Sequence, residues 1–97
     1  MIIISSRIVR EFINHYPKAA TGLNRWYVLM ESGDFSDFSQ LKHHFNACDT
    51  VGNDRFVFNV SGNRYRLVAM IHFSKRTVYI RFIGTHDQYN KIDCSKI

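Results

Sequence analysis

The spacing of the apolar residues changes once along this chain, at Gly52, and that change separates a helical part from a strand part. Before it, Ile8, Val9, Phe12, Ile13 and Tyr16 recur at three- and four-residue intervals, and Ala19, Ala20, Leu23, Trp26, Tyr27 and Met30 repeat the pattern after the break imposed by Pro17. Ser5 or Ser6 is a candidate cap for the first helix and Gly33 a stop for the second. Asp37 can cap a third, short helix that carries Phe38, Leu41 and Phe45. Beyond Gly52, segments 55–60, 64–73 and 77–83 are rich in Val, Ile, Phe and Tyr and are separated by short turn signals, which predicts a β-meander. Residues 85–91 are expected to form a final helical turn. The expected class is α+β, with N-terminal helices packed on one face of a small antiparallel sheet.

With 97 residues and no repeat or linker, the chain is expected to be one domain spanning 1–97. Met1 to Ile4 is an apolar stub followed at once by Ser5, Ser6 and Arg7, so it does not read as a signal peptide, and no run approaches the roughly 18 residues needed to span a bilayer. Cys48 and Cys94 form no pair motif and read as free thiols of a reducing compartment. The expected location is the cytoplasm, with no membrane partner.

The net charge of +5 is unevenly spread. Residues 1–54 hold five Lys/Arg against six Asp/Glu, whereas residues 55–97 hold eight Lys/Arg against only Asp87 and Asp93. A polyanion would therefore dock on the C-terminal half. Strand register places these charges. A two-residue Gly62-Asn63 turn puts Asn59 opposite Arg66 and keeps Phe56, Phe58, Val60, Tyr65, Leu67, Ala69 and Ile71 on one face. A four-residue loop from Phe73 to Arg76 pairs His72 with Thr77 and Met70 with Tyr79, which sets Arg81 opposite Val68. On that register Arg66 and Arg81 are diagonal neighbours on one face, together with Asn59, Arg64 and Tyr79. Val78, Ile80 and Phe82 join the other face, which the helices should cover.

Two arginines converging on a sheet face without a carboxylate in these strands call for an anion, and phosphate suits the planar guanidinium fork. Next to them comes Gly84-Thr85-His86-Asp87-Gln88-Tyr89-Asn90-Lys91. His86 is the best placed general acid or base, Tyr89 could stack on a base or assist proton transfer, and Lys91 reads as a phosphate contact. These groups match the needs of RNA cleavage by the substrate's own 2′-hydroxyl, which requires no metal or other cofactor. Arg66 and Arg81 would stabilise the five-coordinate phosphate and His86 would move a proton, with Tyr89 as a possible helper. DNA lacks the attacking group. His44 and Cys48 have metal-ligand spacing but no matching further ligands, and no phosphate-binding glycine loop or nucleophile elbow occurs. His15, His43, His44 and His72 are read as non-catalytic.

The stretch Val57-Phe-Asn-Val-Ser-Gly-Asn-Arg-Tyr-Arg-Leu-Val68, with Val78-Tyr-Ile-Arg-Phe-Ile-Gly-Thr-His-Asp-Gln-Tyr-Asn-Lys-Ile-Asp93, closely resembles the HigB family of type II toxins. The similarity extends through Arg10-Glu-Phe, Trp26-Tyr27 and Asp49-Thr-Val-Gly-Asn to nearly the whole chain. Ser61 replaces the usual first glycine of the turn, Arg64 a lysine and Asn90 an aspartate. The resemblance implies a RelE-like fold with two or three helices on the sheet, and an extra strand at Met1 to Ile4, so that three or four antiparallel strands are expected. It further implies an mRNA endonuclease inhibited by a cognate HigA-type antitoxin, which would also supply any contact with operator DNA. Around the scissile phosphate it points to Arg66, Arg81, His86 and Tyr89. Asn59 and Arg64 on the same face, and Lys91 beside it, are the expected RNA contacts by register and charge. A non-catalytic RNA- or ribosome-binding module using the same basic face is the second reading. A DNA-binding regulator is the weakest, because no helix-turn-helix with a basic recognition helix is visible.

Overall fold

A computed structural model describes residues 1–97. In chain order the elements are β1 (Ile2–Ile4), α1 (Ser6–His15), a short 3-10 turn (Pro17–Ala19), α2 (Ala20–Ser32), α3 (Phe38–His44), β2 (Cys48–Gly52), β3 (Arg55–Val60), β4 (Tyr65–His72), β5 (Thr77–Thr85) and α4 (His86–Tyr89). The helices start and stop close to where the apolar spacing places them. Asp37 Oδ1 accepts from the Gln40 backbone N–H at 2.9 Å and so caps α3. The expected serine cap of α1 is not made, because Ser5 takes a left-handed backbone (φ 73°) with no capping bond from its side chain, while the Ser6 hydroxyl accepts from Arg10 Nη1.

The sheet departs from expectation in size and sense. It has five strands in the order β1-β5-β4-β3-β2 and is mixed, not a three- or four-stranded antiparallel sheet. β1 lies parallel to β5, pairing Ile2 with Thr77 and Ile4 with Tyr79. The unanticipated strand is β2, whose residues Cys-Asp-Thr-Val-Gly show no alternation and only Cys48 of which is buried. Pairing with β3 makes it a strand, and Asp49 on this sheet edge discourages pairing with another chain.

Both hairpin registers follow the alternation, with Asn59 opposite Arg66, His72 opposite Thr77 and Met70 opposite Tyr79. In the first hairpin the left-handed residues are Ser61 (φ 55°) and Gly62 (φ 69°), rather than Gly62 and Asn63. The second hairpin then departs from a regular ladder. Val68 pairs with Phe82 and Ala69 with Ile80, so Arg81 is the extra residue of a β-bulge. The bulge reverses the alternation of the rest of β5: Ile83, not Phe82, joins Val78 and Ile80 in the core beneath the helices.

That core gathers Leu23, Trp26 and Met30 of α2, Leu41 of α3 and the inward row of the sheet, including Phe58, Leu67 and Ile71. Each large side chain buried in this way contributes about 1.5–3 kcal/mol. Gly22 lets α2 approach the β3–β4 turn, since a Cβ at this position would lie 2.6 Å from Ser61 Oγ, 2.8 Å from Val60 Cγ1 and 3.2 Å from the Ser61 nitrogen. Alanine gains about 1 kcal/mol in helix propensity, but the clash with buried Val60 and with backbone costs about 1–3 kcal/mol. Gly22→Ala is therefore expected to lower stability by about 1 kcal/mol net, seen as a melting temperature several degrees lower. An unchanged or raised melting temperature would show that the turn gives way freely.

Candidate active site

Arg66 leaves β4 on the side turned away from α1 to α3, because it alternates with Tyr65 and Leu67 of the core. It is not the open cation suggested by the sequence, for only 8% of it is exposed. Its Nη1 donates to the carbonyl oxygens of Asn63 at 3.1 Å and Tyr65 at 3.3 Å. Its Nη2 lies 2.9 Å from Nδ1 of His86, and its Cζ stands 5.9 Å from the centroid of the Tyr89 ring. A guanidinium only donates, so Nδ1 of His86 accepts in this arrangement and the ring proton sits on Nε2.

His86 is exposed at the lip of this cluster and is held there by the backbone. Thr85 Oγ1 accepts from the Gln88 backbone N–H at 3.3 Å, and Gln88 Oε1 accepts from the Thr85 N–H at 2.9 Å, a reciprocal cap that closes α4. The His86 N–H donates to the Arg64 carbonyl at 3.3 Å, tying α4 to the start of β4. The Thr85-x-x-Gln88 spacing announces such a cap in the sequence, although neither residue belongs to the types that the chemistry itself selects. Gly84 is the cross-strand partner of Arg66, and a Cβ there would run into the Phe82 ring.

The far side of the sheet is also covered, a feature without a signal in the residue pattern. Asn53 Nδ2 donates to the Ser95 carbonyl at 3.0 Å and Arg55 Nε to the Ile97 carbonyl at 2.8 Å, holding the C-terminal stretch against the β2–β3 end. Val57 and Val68, which alternate with the helix-facing row, are buried on this second side. The Tyr89 hydroxyl lies 3.3 Å from Cys94 Sγ. Burial, and then the bond to Cys94, push the Tyr89 phenol up to about 12, so it keeps its proton at neutral pH. No spacing rule pointed to Cys94.

Arg66, His86 and Tyr89 are thus brought together, and Asn59 stands beside Arg66 across the ladder, its amide 3.5 Å from Asn63 Oδ1. Arg81 does not join them as a diagonal neighbour of Arg66. The bulge leaves it without a cross-strand partner, exposed and without a hydrogen bond from its side chain. Arg64 and Lys91 are exposed and make no side-chain bond. A buried guanidinium with an imidazole at its mouth and unpaired cations nearby can bind an oligoanion and move a proton beside it. Fold and site together define a small α+β domain with a buried guanidinium and an exposed imidazole side by side at one end of its sheet.

Known proteins narrow this class. The model of the HigB toxin family, described as a RelE-like toxic component of a toxin-antitoxin system, matches residues 19–92. An mRNA interferase HigB of Escherichia coli O6:H1 is 30% identical over 94 residues, covering 95% of this chain and 91% of the relative. The mRNA interferase toxin HigB of Escherichia coli K12 and the mRNA interferase HigB of Shigella flexneri are each 32% identical over 92 residues, covering 93% of this chain and 88% of the relative. The chain belongs to the HigB toxin family. No helix in it is long and apolar enough to cross a membrane.

Proposed function

We propose that this protein is the toxin of a type II toxin-antitoxin system and an endoribonuclease that cuts mRNA by attack of the substrate's own 2′-hydroxyl. The names of its relatives support the activity, and the observation that carries the mechanism is the 2.9 Å contact between Arg66 and His86. An arriving phosphate competes for the guanidinium and draws Nη2 away from the imidazole. The lone pair of Nδ1, until then occupied, becomes free to take the proton of the 2′-hydroxyl. The 2′-oxygen then bonds to phosphorus, the bond to the 5′-oxygen breaks as that oxygen takes the phenol proton of Tyr89, and a 2′,3′-cyclic phosphate and a 5′-hydroxyl result. The proton held by His86 returns through water to the tyrosinate. Arg66 stabilises the negative charge that builds on the phosphate.

Tyr89 is a proton donor in this scheme, since a phenol raised to about 12 is a poor base but still hydrogen-bonds to an oxyanion or leaving oxygen. Asn59, Arg64, Arg81 and Lys91 contact neighbouring parts of the strand, with the exposed cations holding flanking phosphates and carrying the salt dependence of binding. Arg81, left without a cross-strand partner by the bulge, takes such a flanking role in this reading. The partners are a cognate HigA-type antitoxin, which mediates any contact with operator DNA, and mRNA on the translating ribosome in the cytoplasm.

Incubating the purified protein with naked RNA, and then with translating ribosomes, and mapping transcript ends tests this reading. Discrete new ends bearing a 5′-hydroxyl, abolished by a 2′-deoxy substitution at the cut, are expected. Translation arrest without cuts would replace the enzyme with a non-catalytic ribosome- or RNA-binding module.

A further inference from the structure

Tyr89 is held from two sides. Arg66 Cζ stands 5.9 Å from its ring centroid, and Cys94 Sγ lies 3.3 Å from its hydroxyl, the single hydrogen bond that the phenol makes. α4 is one turn long and ends at Tyr89, so the helix alone leaves the ring free to swing about its side-chain torsions. The chain that follows is fixed twice over. Asp93 Oδ1 accepts from the Ser95 backbone N–H at 3.1 Å and from the Ser95 hydroxyl at 2.7 Å, and the Lys96 N–H donates to the Asp93 carbonyl at 3.1 Å, which closes a turn around Cys94. Asn53 and Arg55 hold the Ser95 and Ile97 carbonyls from the β2–β3 end, and Arg55 Nη1 also donates to the Asn53 carbonyl at 2.8 Å. A local turn and distant fasteners thus agree on one place for the thiol.

We propose that this stretch, residues 94–97, positions the Tyr89 phenol for its proton transfer, with Cys94 as the contact and Asn53 and Arg55 as the anchors. The proposal rests on the ribonuclease reading above. A displacement of about 1 Å at a reacting group can cost about a hundredfold in rate, so a side chain carried by a single helical turn needs a second support. Sulfur suits that support because it is a weak hydrogen-bond partner. It fixes where the hydroxyl lies and does not compete strongly with the leaving 5′-oxygen for the proton. Cys94 is a positioning residue in this scheme, acting through Tyr89 and not on the RNA.

Cys94→Ala is expected to lower kcat for RNA cleavage about tenfold, the rate equivalent of one lost hydrogen bond. KM should not change, because Arg66 and the exposed cations still bind the strand. Cys94→Ser keeps a hydrogen-bonding atom at the same place and should hold kcat within about threefold of the wild type. In a Tyr89→Phe background Cys94→Ala should cost nothing further, since effects of residues that act through one another do not add. A wild-type kcat in Cys94→Ala or in Tyr89→Phe, a Cys94→Ala loss that persists in the Tyr89→Phe background or that serine does not restore, or a rise in KM alone would overturn the assignment. A second measurement needs no cleavage. Cys48 is fully buried, so alkylation of the folded protein by iodoacetamide reads Cys94, and the Asn53→Ala, Arg55→Ala double variant should speed it severalfold by releasing the stretch. Unchanged alkylation would show that the anchors hold nothing and would sink the proposal. Faster alkylation in that variant, beside a wild-type protein that cuts no RNA, would remove the ribonuclease reading alone.

Discussion

Replacing Arg66 by alanine is expected to lower RNA cleavage by about a hundred- to a thousand-fold, the usual cost of removing a donor aimed at a developing oxyanion. The same change should also weaken the fold. Arg66 is buried and donates to the carbonyls of Asn63 and Tyr65, so alanine strips two acceptors of their donor and unpacks the Tyr89 ring, a loss of about 1–3 kcal/mol. An open cation on the sheet face could be removed without such a cost, but Arg66 is only 8% exposed. Arg66→Lys separates the two effects. Lysine keeps the charge and part of the packing but loses the fork that serves the carbonyls and the phosphate together. Cleavage measured beside a thermal melt decides the matter: a folded Arg66→Ala protein with full activity would remove Arg66 from the chemistry.

His86→Ala should lower cleavage by about a hundred- to ten-thousand-fold while hardly moving the melting temperature, because the side chain is exposed and α4 is held by the Thr85–Gln88 cap. Its RNA affinity should stay close to that of the wild type, since the cations remain. A folded variant that still cuts RNA at the wild-type rate and arrests growth would show that another group moves the proton. The contrast with Arg66 is informative, for one residue is tied into the sheet and the other is displayed at its edge.

Helix limits, the three central strands and two hairpin registers were readable because each is set by neighbours in the chain: apolar spacing, Pro17, Asp37 and turn length act over a few residues. The closeness of Arg66 and His86 was partly readable for the same reason, since β5 must run back past β4 and deliver the residues after it to the start of that strand. The residue types of the site also spoke for themselves, as guanidinium and imidazole have few equivalents for phosphate chemistry.

What chain neighbours cannot encode had to come from packing in space. β2 carries no alternation and is a strand only because β3 offers it an edge, and β1 runs parallel to β5 because α1, which follows it, packs back onto β5. The bulge left Arg81 without a cross-strand partner and turned Phe82 away from the core, a shift invisible to a rule that counts every second residue. α4 brought His86 and Tyr89 against Arg66, and the C-terminal stretch covered the far side of the sheet through bonds reaching across 42 residues from Asn53 and Arg55. The sequence by itself determined which groups are present and which local elements carry them. Tertiary structure alone decided which of them meet and how wet they are, because cross-strand pairing and burial depend on surfaces that the chain brings together only once it has folded.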